Sequence, residues 1–531
     1  MNLQIPFEPL AIVYLMQAAG YECYIVGGAV RDLVMKKKKK TIINDWDFAT
    51  NAKPEEIQKV LKESYYENEF GCVGITHENL LESLNIDFTL PANDLSDNIG
   101  SDKPLTKQFI DLKNISKLHP SLLMPNKDKI NSTKNRVHDF EITTYRSNEV
   151  YQNFRKPETL SWGTNIHQDL ERRDFTINAL ALNVYQEFLE KIFSRKKNTS
   201  LQEYYLLNDN NAKIIDEHDS LNDLSKKRIT AIGDPDNRFN EDALRMLRAI
   251  RFACQLDMSI ADNTLIAIKN NSGIIKNISA ERIRDELMKL LVSDKPSFGI
   301  KLMQENGLLK YFLPELEKMI GIDQGGHHTT DVWIHSLGAV DHCPSKDPIV
   351  KLSALLHDVG KPSTYNKIND AISFYNHEVL GSRLAVDIAK RLRLSKNEQQ
   401  RIFILVRYHM FFYQPHHTDS AVRRIMRKVR IENLNDIIAI REGDRLGSGS
   451  KVTSWRLEEL KKRMEEQLHQ PIDLKDLKIT GKNLVKDLKL KPGPSFKEIL
   501  NKLLELVLDD PSLNTKKRLL KEAKKIHDSI K

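Results

Sequence analysis

Two short stretches near the N-terminus bring together residue types suited to phosphate chemistry. The first is Tyr24-Ile-Val-Gly27-Gly28-Ala-Val-Arg31-Asp32, and the second, twelve residues later, is Asp45-Trp-Asp47. Tyr24 to Val26 read as a short strand that Gly27-Gly28 break into a tight turn. Without Cβ atoms in the way, such a turn lets a phosphate approach the backbone, and Arg31 supplies a fixed cation for a triphosphate. If residues 44–50 form a strand, alternation places Asp45 and Asp47 on one face. Paired carboxylates beside a phosphate cradle suit a divalent-metal site for nucleotidyl transfer. There the metal bridges phosphate oxygens, lowers the pKa of the attacking hydroxyl and stabilises the leaving pyrophosphate.

Three further groups extend this chemistry. In Asp169-Leu-Glu-Arg172-Arg173-Asp174-Phe-Thr-Ile-Asn178-Ala-Leu180, Asp174 is predicted to cap a helix carrying Phe175, Ile177 and Leu180 inward. Its end would present two guanidinium groups to an anion. In Glu241-Asp242-Ala-Leu-Arg245-Met-Leu-Arg248-Ala-Ile-Arg251, a helical period puts Ala243, Met246, Leu247 and Ile250 on an apolar arc. Asp242, Arg245, Arg248 and Arg251 then fall on the other side. An Asp accepts from an exocyclic amine and an Arg donates to ring acceptors, so an Asp242–Arg245 pair admits C and A while mismatching G and U. The third group lies in residues 327–450, which hold more than half of the sixteen histidines. His335, the adjacent His357-Asp358 and the late Asp444 are predicted metal ligands, with His377 and His409 completing a second position. Imidazole with carboxylate suits a borderline transition metal such as Ni, Mn, Co or Fe, leaving positions open for water or phosphate. His327, His328, His416 and His417 are given no role.

The elements that must position these groups are legible in part. At 531 residues, 40% hydrophobic and 29% charged, the chain has room for about three or four domains of ordinary globular composition. A net charge of +8 suits a polyanionic partner. Four dispersed cysteines without a Cys-x-x-Cys pair argue against a disulfide framework or thiolate zinc site and for a reducing compartment. With no apolar run long enough for a membrane span and no signal-peptide pattern, the expected location is cytoplasmic. Residues 7–19 are predicted to be a helix ended by Gly20, 71–76 and 137–146 strands, and 53–64 a helix. Polar segments at about 78–135 and 194–213 read as insertions, and the Lys36–Lys40 run as a solvated loop. Glu141 is a candidate third carboxylate beside Asp45 and Asp47. Residues 452–467, 496–508 and 513–530 read as helices.

Taken together, the Gly-Gly turn, Asp45-x-Asp47 and the Arg172–Leu180 string resemble the class II tRNA nucleotidyltransferase and bacterial poly(A) polymerase superfamily. The Glu241-Asp242-x-x-Arg245 string resembles that family's base-selecting motif, and the His…His-Asp…Asp series resembles an HD-type metal phosphohydrolase domain. The resemblance implies an α+β chain. A polymerase-beta-like nucleotidyltransferase head (1–193) would precede an all-α neck and body (214–320), an HD domain (327–450) and a helical C-terminal arm (451–531) that binds tRNA. It implies Mg²⁺-dependent addition of C, C and A from CTP and ATP to a tRNA 3′ end. Arg31, Arg172 and Arg173 would hold the triphosphate, Asp174 and Asn178 would fix the site, and Asp242 and Arg245 would replace a template, helped by Arg248 and Arg251. Poly(A) polymerase and a CC- or A-only adding enzyme share the head motifs. A chain acting mainly as an HD phosphohydrolase on RNA ends is the alternative of another class.

Overall fold

A computed structural model describes residues 1–35, 43, 45–68, 71–84, 89–90, 110–111, 140–146, 151–152, 156–157, 162–193, 204–325, 330–369, 371–450 and 454–530. The Lys36–Lys40 run, His327, His328 and most of the two predicted insertions lie outside these residues. The chain groups into two compact units, residues 1–249 with 257–277, and residues 250–256 with 278–531. Among the described residues no helix is long and apolar enough to cross a membrane.

The first unit is built on a seven-stranded mixed sheet. Its strands are β1 (Cys23–Val26), β2 (Trp46–Thr50), β3 (Tyr65–Asn68), β4 (Cys72–Ile75), β5 (Phe140–Thr144), β6 (Leu180–Val184) and β7 (Ala212–Asp216). Their order is β7-β6-β1-β2-β5-β4-β3, and only β2 with β5 runs parallel. Ile25, Phe48 and Leu182 are fully buried on one face. On the other, Val26, Ala49 and Ala181 pack with Tyr145, Ile166 and Leu170. The helix Ile166–Glu171 therefore lies on the face that carries Asp47, two residues before Ala49.

Several elements differ from the sequence reading. The strand at 44–50 starts at Trp46, so Asp45 precedes it, and Asn44 lies outside the described residues. Asp174 does not open an α-helix. Thr176–Asn178 form one 3₁₀ turn and Leu180–Val184 are a strand. The reason is tertiary: Phe175 bridges to Ala231, and the apolar Leu180–Val184 run fills the sheet between β1 and β7. The first polar segment opens with a helix, His77–Ser83. The second ends in a strand, Tyr204–Leu207, paired with Leu3–Pro6. The predicted helix at the N-terminus is Phe7–Ala18, followed by Gly20 at φ +89°.

Among its described residues the second unit is almost wholly helical, with one hairpin at Asn366–Ile368 and Ala371–Ser373. Helices Val332–His342, Pro348–Leu356, His377–Arg391, Lys396–Tyr408 and Leu434–Gly447 carry the histidine-rich segment. The C-terminal helices Ser495–Asp509 and Lys516–Ile530 close around Leu503, Leu504, Val507, Leu508 and Leu519.

Candidate active site and metal centre

Gly27 sits at φ +71° and caps the helix Gly28–Val34, so the two glycines turn a strand directly into a helix start. A Cβ at Gly27 would lie 2.8 Å from Arg173 Nη1 and 3.3 Å from Asp47 Oδ2. The glycine is what lets a guanidinium and a carboxylate close over the turn. Arg31, on the first turns of this helix, is buried and donates from Nη1 to Asn178 Oδ1 at 2.7 Å.

Asp47 lies among Asp45, Arg31, Arg173 and Arg248. It pairs in register with Val26 on one side and Glu141 on the other, so Glu141 projects from the same face of the sheet. Burial and then the charge of Asp45 push its pKa up to about 6, against the pull of Arg173, Arg248 and Arg31. Two carboxylates that repel each other at the end of a β-strand, with oxygen donors only, fit a hard divalent cation such as Mg²⁺.

The arginines are held by buried acids, of which Asp169 carries no role in the sequence motifs. Asp169, 1% exposed, accepts from Arg172 Nη2 at 2.6 Å and from Arg173 Nη2 at 3.1 Å. Burial opposes its ionisation, but the two guanidinium groups outweigh it and lower its pKa. The signal was present: Asp169 stands three and four residues before the pair, the spacing of one helical turn. Asp174 is buried too. It accepts from the Phe175 amide and the Asn178 amide group and pairs with Arg248 at 2.7 Å. Arg248 and Arg245 keep it ionised against its burial.

The helix Leu244–Leu256 starts two residues after Asp242, which accepts from the Leu244 amide rather than lying on the helix itself. Ala243, Met246, Leu247 and Ile250 are buried, as the period predicts, but Arg245 and Arg251 are buried as well. Arg245 pairs with Glu241 and donates to the Arg172 carbonyl at 3.3 Å. This links the Glu241–Arg245 string to the arginine pair. Arg251 belongs to the other unit, where it pairs with Glu286 at 2.8 Å. The structure thus brings together Gly27, Arg31, Asp45, Asp47, Arg173, Asp174, Asn178 and Arg248 within the first unit.

In the second unit the six predicted ligands converge. His335 Nε2 lies 3.1 Å from His357 Nε2, 3.3 Å from Asp358 Oδ2 and 3.2 Å from Asp444 Oδ1. Across Asp358, His377 Nε2 and His409 Nε2 lie 3.3 and 3.7 Å from Oδ1. Two triads, His335–His357–Asp358 and Asp358–His377–His409, therefore share one carboxylate. The Nδ1 atoms of His357, His377 and His409 lie 2.7–2.9 Å from the carbonyls of Ala354, Phe374 and Val406. Donation there fixes the tautomer and turns an Nε2 lone pair inward. Burial and the nearby His357 lower the pKa of His409 to about 3, so it is neutral and ready to ligate. Burial would lower His335 as well, but Asp358 and Asp444 outweigh it and raise it to about 9. Lone pairs and carboxylate oxygens aimed at one another in a buried pocket fit a cation of the borderline class.

Against known proteins, residues 23–92 and 112–200 match the family described as Poly A polymerase head domain. Residues 257–320 match the probable RNA and SrmB-binding site of polymerase A, and residues 380–523 a putative tRNA nucleotidyltransferase domain 2. A CCA-adding enzyme of Ligilactobacillus salivarius is 27% identical over 525 residues, which is 98% of this chain and 96% of the relative. One from Limosilactobacillus reuteri is 32% identical over 317 residues, 59% of this chain and 57% of the relative. Over nearly its whole length the chain is thus similar to CCA-adding enzymes, and its N-terminal part to the Poly A polymerase head. Its fold is also that of the Bacillus stearothermophilus CCA-adding enzyme solved in complex with CTP, at a TM-score of 0.61 and 19% identity, covering 98% of this chain and 97% of that one. The superfamily head match spans Gly27, Asp45, Asp47, Glu141 and the Arg172–Asn178 string. The domain 2 match begins after His335, His357, Asp358 and His377.

Proposed function

We propose that the chain is a CCA-adding tRNA nucleotidyltransferase that extends a tRNA 3′ end with C, C and A from CTP and ATP. The observation carrying this reading is Asp47, set among Asp45, Arg31, Arg173 and Arg248 beside the Gly27-Gly28 turn. Asp45 and Asp47 hold Mg²⁺, with Glu141 the adjacent carboxylate. When bound, the metal supplies Lewis-acid activation of the attacking 3′-hydroxyl and charge neutralisation at the α-phosphate and pyrophosphate. Arg31, Arg172 and Arg173 orient the triphosphate, and Asn178 and Asp174 fix the rotamers of Arg31 and Arg248. Asp242 and Arg245 read the Watson–Crick edge of the incoming base, and Arg248 supports them. The head is assigned to residues 1–193, the neck to 214–320 and the tRNA-binding arm to 451–531. Labelled CTP or ATP offered with tRNAs ending at the discriminator base, C or CC tests this. Stepwise C, C and A addition is expected, whereas long A-tails on arbitrary RNA contradict it.

A second activity is favoured by the shared-carboxylate geometry in residues 327–450: an HD-type phosphohydrolase acting on phosphomonoesters or cyclic phosphates at RNA ends. His335, His357, Asp358 and Asp444 hold one transition metal, and Asp358, His377 and His409 a second. His357→Ala is expected to abolish release of phosphate from a 3′-phosphorylated RNA in Ni²⁺ or Mn²⁺ while CCA addition continues. Hydrolysis that survives His357→Ala contradicts the assignment.

A further inference from the structure

A cleft of about 480 Å³ opens in the second unit between the helices Lys396–Tyr408, Asp419–Val429 and Ser495–Asp509. Its walls combine an apolar and aromatic side with a cationic one. Phe403, Ile404 and Tyr408 supply the first, and Arg424, Arg427, Lys428 and Arg430 the second, with Glu505 as the acid among the lining residues. The cations divide into two kinds. Arg424 pairs with Asp509 at 2.9 Å and with Glu505 at 3.2 Å, and Arg427 also pairs with Glu505. Lys428 and Arg430 are exposed and make no ion pair among the described residues. Two positive charges at the edge of the cleft are therefore left uncompensated.

Arg430 is also held in an unusual backbone conformation, φ +70° and ψ 144°. That region is essentially restricted to glycine and is unfavourable for a residue with a Cβ. An arginine kept there, rather than a glycine, spends stability to keep a guanidinium at this position.

We infer that the cleft is a nucleotide-binding site separate from the head, taking the base of a mononucleotide against Tyr408 and Phe403 and its phosphate on Lys428 and Arg430. The volume falls within the range of small-ligand pockets. A flat π surface beside free cations is complementary to a planar base joined to a phosphate. Arg424 and Arg427, already neutralised by acids, form a wall rather than the phosphate contact. The helix that presents Tyr408 continues directly to His409, so an occupant reaches the end of the segment that supplies one of the HD-site histidines.

The test is direct binding by the full chain carrying Asp45→Ala and Asp47→Ala, titrated with AMP, ribose 5-phosphate and tRNA in chelator. This readout is independent of nucleotide addition, so its failure and that of the proposed activity are separable. AMP is expected to bind saturably, at least tenfold more tightly than ribose 5-phosphate. Lys428→Glu with Arg430→Glu should weaken AMP at least tenfold. Arg430→Gly should also weaken it while leaving the melting temperature unchanged or raised, because glycine relieves the backbone cost. AMP binding unmoved by these changes overturns the inference. So does tRNA binding that falls with the double substitution while no saturable AMP binding exists, which would make the cleft an RNA-backbone surface.

Discussion

Asp47 is buried beside a like charge at the expense of stability. Its ordinary carboxylate pKa is raised to about 6 by burial and by Asp45. The folded chain thus binds a proton there that the unfolded chain releases, and the stability this lends is lost as pH rises towards 6. At pH 8 without metal, Asp47→Asn is expected to stabilise the protein, by an amount on the order of 1–2 kcal/mol. The same change should cut CTP incorporation about a thousandfold. Melting in chelator and a single-turnover incorporation assay check the pair; a destabilised or active variant contradicts the role. Because proton and Mg²⁺ compete for the same oxygens, the Mg²⁺ concentration for half-maximal incorporation should climb as pH falls below about 6. Asp169 works in the opposite sense. It is an acid kept ionised by Arg172 and Arg173, and removing it leaves two guanidinium groups without their buried partner. Asp169→Ala is expected to lower stability by about 3–5 kcal/mol and to raise the KM for CTP, as read from melting and initial rates. The carboxylates and arginines were legible in the sequence because they act as charges at fixed spacing. Their holders, Asp169 and Glu241, were not singled out, since an acid beside an arginine reads as an ordinary surface pair until its burial is known.

At the scale of elements, the Gly27 turn, the β2 strand and the helix Leu244–Leu256 follow from local chemistry. The strand Cys23–Val26 and the helix Phe7–Ala18 were readable from apolar runs ended by glycine. The segment after Asp174 was not, because the apolar spacing of Phe175, Ile177 and Leu180 fits a helical period while the sheet claims Leu180–Val184. Tertiary pairing overrides a short periodic signal of this kind. Gly27→Ala should damage the site without touching a charge. Its positive φ and the 2.8 Å approach to Arg173 Nη1 force the guanidinium away. CTP incorporation is expected to drop at least tenfold, and unchanged rates contradict the cradle. Arg251 shows the limit of reading a helix by its charged face. It shares that face with Arg248, yet it is 8% exposed and paired with Glu286. Arg251→Ala is therefore expected to cost about 3–5 kcal/mol of stability while the ratio of C to A incorporation stays as in the unmodified chain, measured by melting and by competition between CTP and ATP.

At the scale of the whole molecule, two units carry two different sets of donor groups. Oxygen donors and arginines gather in residues 1–249, and histidines sharing Asp358 gather in residues 278–531. The histidine cluster was visible as a series of types in chain order. That His377 and His409 reach the same carboxylate as His335 and His357 depends on four helices meeting, which no local pattern encodes. The positive net charge suits the extended polyanion that the head is assigned to extend. The most direct measurement is incorporation of labelled CTP and ATP into tRNAs ending at the discriminator base, C and CC, by the intact chain and by Asp47→Ala. The intact chain is expected to add two C residues and then one A and stop, and the variant to add nothing. Unlimited A-tails, or an Asp47→Ala chain that still incorporates CTP in Mg²⁺, would contradict this.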